Sequence, residues 1–376
     1  YSIVEDMSNP AFLQLGGSVV MPELLPYKQL ARCLRAETME AMKRSLMRYE
    51  NPRGNPELKR QIAKRMLGQV RRATTDEMLI TSGCIEAVSL CLQAVGGAGT
   101  TVVVESPTYP WFLQLIEDQN KFALEIPTDP QTGIDLVQLE RAVAKNAVSA
   151  CLLVPNFHNP LGFEMPEDKK KELVGLMGER RIPIIEDNIH GELYFGDKRP
   201  TTLKSMDRRG MVLHCASFSK TLSPGLRVGW TLPGRFADRV MRLKMNSTIA
   251  SPTLNQQVVA QFLKSGAYDR HLRSLRTALK NQIGNTALAI ARHFPKGTRI
   301  TSPQGGLTLW VELDGRVDGV KVFQEARRRK ISIFPGIICS TTGRYRNYIR
   351  ISCGYPWTDA VERGIVALAD IVKRLI

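Results

Sequence analysis

Short apolar runs rich in β-branched residues alternate along much of the chain with stretches whose apolar positions recur every three to four residues. The runs at 78–81, 101–105, 150–155, 183–186 and 211–215 predict strands, and the stretches between them predict helices. Alternation of this kind predicts a mostly parallel α/β sheet. Ile182-Pro183-Ile184-Ile185 and Val212-Leu213 are continuously apolar, as strands covered on both faces must be. Ligands are then expected at the carboxyl ends of the strands.

After Pro252 the pattern changes to a long basic helical stretch from 254 to about 294. Alternating segments at 307–311 and 348–352 follow, around a helix near 320–330, and predict a smaller α+β domain. The first 25 or so residues contain Gly16-Gly17 and two prolines, Pro10 and Pro22, ahead of a helical pattern that begins near Tyr27, so they predict an extended arm. The expected division is an arm at 1–25, a large domain at 26–255 and a small domain at 256–376.

Length supports two lobes, since 376 residues exceed the roughly 250–300 at which single cores stop growing. With 43% hydrophobic and 23% charged residues the chain is globular, and no stretch approaches the roughly 20 apolar residues of a membrane span. Seven cysteines (33, 84, 91, 151, 215, 339 and 353) form an odd set without Cys-x-x-Cys spacing, which argues against disulfides and zinc. That usage fits a reducing cytosol, and Tyr1-Ser2-Ile3-Val4-Glu5-Asp6 lacks the basic-then-apolar pattern of a signal peptide. A cytoplasmic protein is expected. The net charge of +16 favours phosphorylated, carboxylate or nucleic-acid partners, or describes a solvated basic surface. Lys169-Lys170-Lys171 and Arg327-Arg328-Arg329-Lys330 lie in predicted helices without interleaved aromatics, which argues against direct nucleic-acid binding.

Candidate chemistry centres on Ser217-Phe218-Ser219-Lys220-Thr221-Leu222-Ser223-Pro224-Gly225-Leu226-Arg227-Val228-Gly229-Trp230, directly after a predicted strand. A lysine at a strand end, among hydroxyls and beside glycine and arginine, can present an amine to an aldehyde while its neighbours hold a phosphate. The plainer alternative is a solvated surface lysine. The segment resembles the cofactor-lysine segment of class I/II aminotransferases. That resemblance implies a Schiff base between Lys220 and pyridoxal 5'-phosphate, with Ser217 and Arg227 on the cofactor phosphate.

The resemblance extends through further positions in the family's order. Thr81-Ser82-Gly83-Cys84-Ile85-Glu86-Ala87 joins a strand to a helix and is similar to the family's phosphate cup, though a Ser-Gly turn by itself usually caps a helix. The family often carries a hydroxyl or amide at Cys84 and Ile85, so their backbone N–H groups are what carries over. Asp187 matches the aspartate that keeps the pyridine nitrogen protonated, and Asn159 in Asn156-Phe157-His158-Asn159-Pro160-Leu161-Gly162 matches the asparagine on the ring hydroxyl oxygen and faces the substrate. Where the family usually has a second donor to that oxygen, a tyrosine, this chain has His190. Tyr109 matches the aromatic stacked on the ring, and Tyr49 a tyrosine that reaches the phosphate of the neighbouring subunit, which implies a homodimer. Arg350, on a predicted strand, matches the arginine that grips a substrate α-carboxylate, with Gly17 and Ser18 in the substrate-side loop. An amino acid or 2-oxo acid is then the ligand.

The implied fold is the fold-type I pyridoxal-phosphate architecture, an α/β large domain with a mixed, mainly parallel sheet plus a smaller α+β domain. Two functions fit it. In an aminotransferase, Lys220 and Asp187 are catalytic, Lys220 as nucleophile and general base. In the alternative, the chain resembles the effector-sensing domain of MocR-type regulators, in which a GntR-like winged helix precedes an aminotransferase-like domain. Pro22-Glu23-Leu24-Leu25-Pro26 and Glu186-Asp187-Asn188-Ile189-His190-Gly191-Glu192 are similar to those regulators, Tyr1 in place of methionine suggests a fragment, and DNA would be met only through a winged helix outside this chain. A lyase, decarboxylase or racemase on the same fold is a third reading.

Overall fold

A computed structural model of the chain describes residues 3, 5–6, 9–36, 39–70 and 74–376. Tyr1, Ser2, Val4, Met7 and Ser8 of the predicted arm lie outside the described residues. The strands, in chain order, are β1 (Leu13–Gln14), β2 (Leu79–Thr81), β3 (Thr101–Ser106), β4 (Phe122–Asp129), β5 (Gly133–Ile134), β6 (Val148–Leu153) and β7 (Ile184–Asp187). They continue with β8 (Val212–Ser217), β9 (Gly229–Leu232), β10 (Arg299–Ile300), β11 (Thr308–Glu312), β12 (Ile331–Ser332), β13 (Phe334–Pro335) and β14 (Tyr348–Ser352).

A single sheet of order β2-β9-β8-β7-β6-β3-β4-β5 organises the first part of the chain. Strands β8, β7, β6, β3 and β4 run parallel to one another, whereas β9 pairs antiparallel with both β8 and β2, and β5 antiparallel with β4. The sheet is therefore mixed and mainly parallel, the expected α/β architecture. Its strands are apolar on both sides because both sides are covered. Val102, Val104, Leu152, Ile185 and Leu213 pack on the helix Cys84–Val95, while Val103, Cys151, Leu153, Ile184 and Val212 pack with Leu173 and Met177 of the helix Glu167–Glu179. Each such side chain taken from water contributes roughly 1.5–3 kcal/mol.

A second core surrounds the antiparallel sheet β10-β11-β14-β13 and the helix Asp359–Leu375. The N-terminal segment belongs to it. β1 pairs parallel with β12, and Leu15 is fully buried among Leu309, Ile351 and Ile365. The predicted helical stretch from 254 to about 294 is two helices, Thr253–Lys264 and Ala267–His293. Gly266 separates them at φ 70°, a left-handed conformation that glycine adopts without a Cβ penalty. The first packs on the helix Pro56–Arg65, and the second runs from Tyr268 beside Phe218 to Ile290 in the second core. Lys170 also departs from the expected solvated basic run. It is 1% exposed, and its ammonium donates to Asn156 Oδ1 (2.7 Å) and the Thr201 carbonyl (2.9 Å).

Candidate functional site

Consecutive strand ends converge at the carboxyl edge of the sheet. Thr81 of β2 leads into the Ser82-Gly83 turn, β3 into Tyr109, β6 into Asn159, β7 ends on Asp187, and β8 leads into Lys220. A cavity of about 180 Å³ lies among them, lined by Cys84, Ile85, Tyr109, Val154, Asn159, Asp187, Ile189, His190, Ser219, Lys220 and Arg227.

Lys220 donates to the Ser18 carbonyl, which brings the N-terminal segment over the cavity. Burial, with the charges of Arg350 and Arg227, lowers its pKa to about 8, although the Asp187 carboxylate pulls the other way. Asp187 is 5% exposed, and burial pushes its pKa up to about 6 against the hydrogen bonds it accepts. Its Oδ1 takes the Ile189 N–H at 2.9 Å and the Cys84 thiol at 3.3 Å. The Cys84 side chain thus contributes directly, beyond the backbone N–H expected of it.

Gly83 is the N-cap of the helix Cys84–Val95 at φ 97°, and no side chain caps that end. The free amides there, with the helix dipole, favour an anion. Arg227 stands against this turn, its guanidinium donating to the Ser82 carbonyl at 2.6 Å, with longer contacts to Ser219 Oγ and the Pro224 carbonyl, both 3.4 Å. Ser217 Oγ accepts from the Ser219 N–H at 3.3 Å, so the hydroxyl on the cavity wall is that of Ser219 and Ser217 lies behind it. Tyr109 forms another wall, stacked on Trp111 and edge-on to Phe112, and burial raises its hydroxyl to about 12.

Arg350 is 2% exposed on β14, between Trp310 and Phe334 in register, its guanidinium carbon 3.9 Å from the Phe334 ring centroid. It donates to Asn159 Oδ1 (2.8 Å) and the Gly16 carbonyl (2.7 Å), while Nε has no partner among the described residues. Burial lowers its pKa. Among the described residues neither Arg350 nor Arg227 has a carboxylate within ion-pair distance, so the site carries uncompensated positive charge. Gly17 and Ser18 are buried beside this cluster. Tyr49 is not brought to it, since its side chain is 83% exposed.

Several supporting residues were not found by sequence reasoning. Val154 and Ile189 line the cavity, and their places just after β6 and Asp187 were a usable signal. Below Lys220, Tyr268 bridges Thr221 and Glu192 with 2.7 Å hydrogen bonds, and Glu192 pairs with Arg65 (2.7 Å) and Arg199 (3.3 Å). Under the asparagine turn, His158 Nδ1 accepts the Leu161 N–H and its Nε2 lies 3.3 Å from the buried Glu105. No local pattern announces these pairs. Among the described residues there is no metal-binding cluster of His, Cys, Asp or Glu, and no helix long and apolar enough to cross a membrane.

Known proteins share this fold over nearly the whole chain. The uncharacterized HTH-type transcriptional regulator YjiR of Escherichia coli is 37% identical over 95% of this chain and 75% of its own length. The 2-aminoadipate transaminase of Thermus thermophilus is 28% identical over 98% of this chain and 91% of its own. In structure, the α-aminoadipate aminotransferase LysN of that organism, solved with N-(5'-phosphopyridoxyl)-L-leucine, superposes with a TM-score of 0.92 at 27% identity, covering 100% of this chain and 95% of its own. Residues 24–367 match the family described as aminotransferase class I and II, and the chain belongs to that family.

Proposed function

We propose that the chain binds pyridoxal 5'-phosphate through Lys220 and acts on an amino acid or 2-oxo acid in the manner of an aminotransferase. The observation that carries this reading is the convergence of Lys220, Asp187 and Asn159, from three strand ends, on one cavity flanked by two guanidinium groups without carboxylate partners. The residues present fit the cofactor. A buried carboxylate and a buried amine share the cavity, Tyr109 supplies an aromatic wall, and His190 Nε2 is a buried polar atom without a partner. Gly83 holds φ 97°, strained for any residue with a Cβ, and a Cβ there would also push the Arg227 guanidinium aside, so glycine suits a turn open to an anion.

When bound, pyridoxal phosphate supplies an aldehyde for covalent attachment and a ring that withdraws electrons from the substrate α-carbon. Lys220 would hold the aldehyde and, once displaced by the substrate amine, carry the α-proton. Its pKa of about 8 leaves a useful fraction of free base near neutrality. Asp187 would hold a proton on the ring nitrogen. Arg227, Ser219 or Ser217 Oγ and the amides at the start of the helix Cys84–Val95 would take the phosphate. Arg350 would grip the α-carboxylate with a bidentate fork after releasing Asn159 or the Gly16 carbonyl. Tyr49 would serve the site of a second copy in a homodimer. Exposed apolar side chains at Tyr27 (66%), Met39 (81%), Leu46 (77%) and Met47 (74%) support an interface on that side.

Borohydride trapping followed by peptide mapping tests the attachment: the adduct is expected on Lys220, and a Lys220→Ala protein that still forms a reducible adduct would overturn it. A second reading is the effector-sensing domain of a MocR-type regulator, favoured by the higher identity to YjiR than to the transaminase. Half-reactions with a panel of amino acids separate the two. Conversion of the bound cofactor to its amine form supports the enzyme, and spectral perturbation without conversion supports the sensor.

A further inference from the structure

His190 stands where relatives of this family usually offer a hydroxyl donor, and its surroundings reverse the polarity of that contact. Its Nδ1 lies 3.1 Å from the Phe157 carbonyl oxygen. A carbonyl has no proton to give, so Nδ1 carries the hydrogen and Nε2 is left with its lone pair. The carbonyl is held firmly. Phe157 is 1% exposed at φ 54°, a left-handed conformation costly for a bulky residue, and its ring packs where a Cβ on Gly305 would fall within 2.5 Å. Burial, and then the charge of Lys220, lowers the His190 pKa to about 3, so the ring remains neutral and the tautomer fixed.

Nε2 is buried and has no partner among the described residues, in a side chain 3% exposed on the cavity wall. Asn159 is oriented by its neighbour in the opposite sense. Because its Oδ1 accepts from Arg350 Nη1 at 2.8 Å, its amide N–H₂ is what remains to face the cavity. One donor and one acceptor therefore flank the same space.

We propose that His190 is an acceptor-type positioning residue that, with the Asn159 amide, selects a protonated hydroxyl in place of an anionic oxygen at the ring position between them. The inference rests on the cofactor reading above. A hydroxyl there accepts from Asn159 and donates to His190 Nε2, whereas an oxyanion would face a lone pair. The consequence for Lys220 is direct. Keeping the proton on the ring oxygen would leave the nitrogen joining Lys220 to the cofactor unprotonated and less electrophilic, and so would slow displacement of Lys220 by an incoming amine. The contact is thus suited to a site that binds amines more readily than it turns them over.

The test is nitrogen NMR of the holoprotein with labelled histidine, together with absorption spectra of the bound cofactor. Five histidines keep the NMR assignment tractable, and His190→Gln identifies the resonance. The expected results are an Nδ1–H, Nε2-unprotonated ring and a dominant short-wavelength band from the protonated-oxygen form. His190→Tyr, which restores a donor, is expected to move the ratio toward the long-wavelength form about tenfold, the effect of one hydrogen bond of ordinary strength. An Nε2–H ring, or a dominant long-wavelength band unchanged in His190→Tyr, overturns the proposal. Failure of pyridoxal phosphate to form any borohydride-reducible adduct overturns the cofactor reading and this inference with it. If His190→Tyr does not fold, the tautomer and band of the unmodified holoprotein decide the matter.

Discussion

Removing the charge of Glu192 is expected to destabilise the protein in a pH-dependent way. Glu192 has 10% of its side chain exposed and meets Arg65 Nη2 at 2.7 Å, Arg199 Nη1 at 3.3 Å and the Tyr268 hydroxyl at 2.7 Å. Burial alone would raise its pKa, but the two guanidinium groups and the Tyr268 bond outweigh that and hold it at about 2, against an ordinary value of 4.5. The folded pKa lies below the unfolded one, so the stabilisation is complete above about pH 4.5 and fades as pH falls toward about 2. That gap corresponds to on the order of 3 kcal/mol at neutral pH, of which about 2 is gone by pH 3. Breaking a buried pair by removing one partner typically costs about 3–5 kcal/mol. Here Arg65 keeps Asp269 at 2.8 Å, and Arg65 and Arg199 retain 19% and 18% side-chain exposure, so Glu192→Gln is expected to cost about 2–3 kcal/mol at pH 7. Urea unfolding of the cofactor-free protein at pH 7 and pH 3 measures this. The gap between variant and unmodified protein should shrink to less than half at the lower pH. An equal gap at both values would refute the electrostatic account and leave only packing.

Three further outcomes follow from the site. Asp187→Asn should stabilise the cofactor-free protein while weakening cofactor retention. Burial raises the Asp187 pKa to about 6, so its ionised form costs stability as pH climbs from 4 through 6, on the order of 2–3 kcal/mol, and the gain should appear in urea midpoints at pH 8 but not at pH 4. Gly83→Ala places a Cβ against the Arg227 guanidinium at a residue with φ 97°, and a loss of at least tenfold in pyridoxal-phosphate affinity, measured by equilibrium dialysis, is expected. Arg350→Lys replaces a fork with a point charge, so amino-acid affinity, read from cofactor spectral titrations, should fall by about 10–100-fold, further than cofactor affinity, which Arg350 touches only through Asn159.

What could be read from the sequence was what depends on local order. Strand runs buried on both faces are continuously apolar, and functional groups follow strand ends, so Asp187, Asn159 and Lys220 fell into one place once a parallel sheet was assumed. Strand β9 was overlooked because Gly229-Trp230-Thr231-Leu232 reads as the tail of the lysine motif, and its antiparallel return is set by the loop at Arg227 rather than by its own composition. The Glu192 network joins residues 127 positions apart through charge, which no periodicity records. His190 shows the deepest limit. Its identity was visible and its place on the cofactor side of β7 was expected, but whether it gives or receives a hydrogen bond is decided by a backbone carbonyl of Phe157, in a conformation that Gly305 leaves room for. The side chain names the chemistry available. The tertiary contact on its far nitrogen chooses which half of that chemistry faces the ligand, and a family motif carries over the position without carrying over the sign.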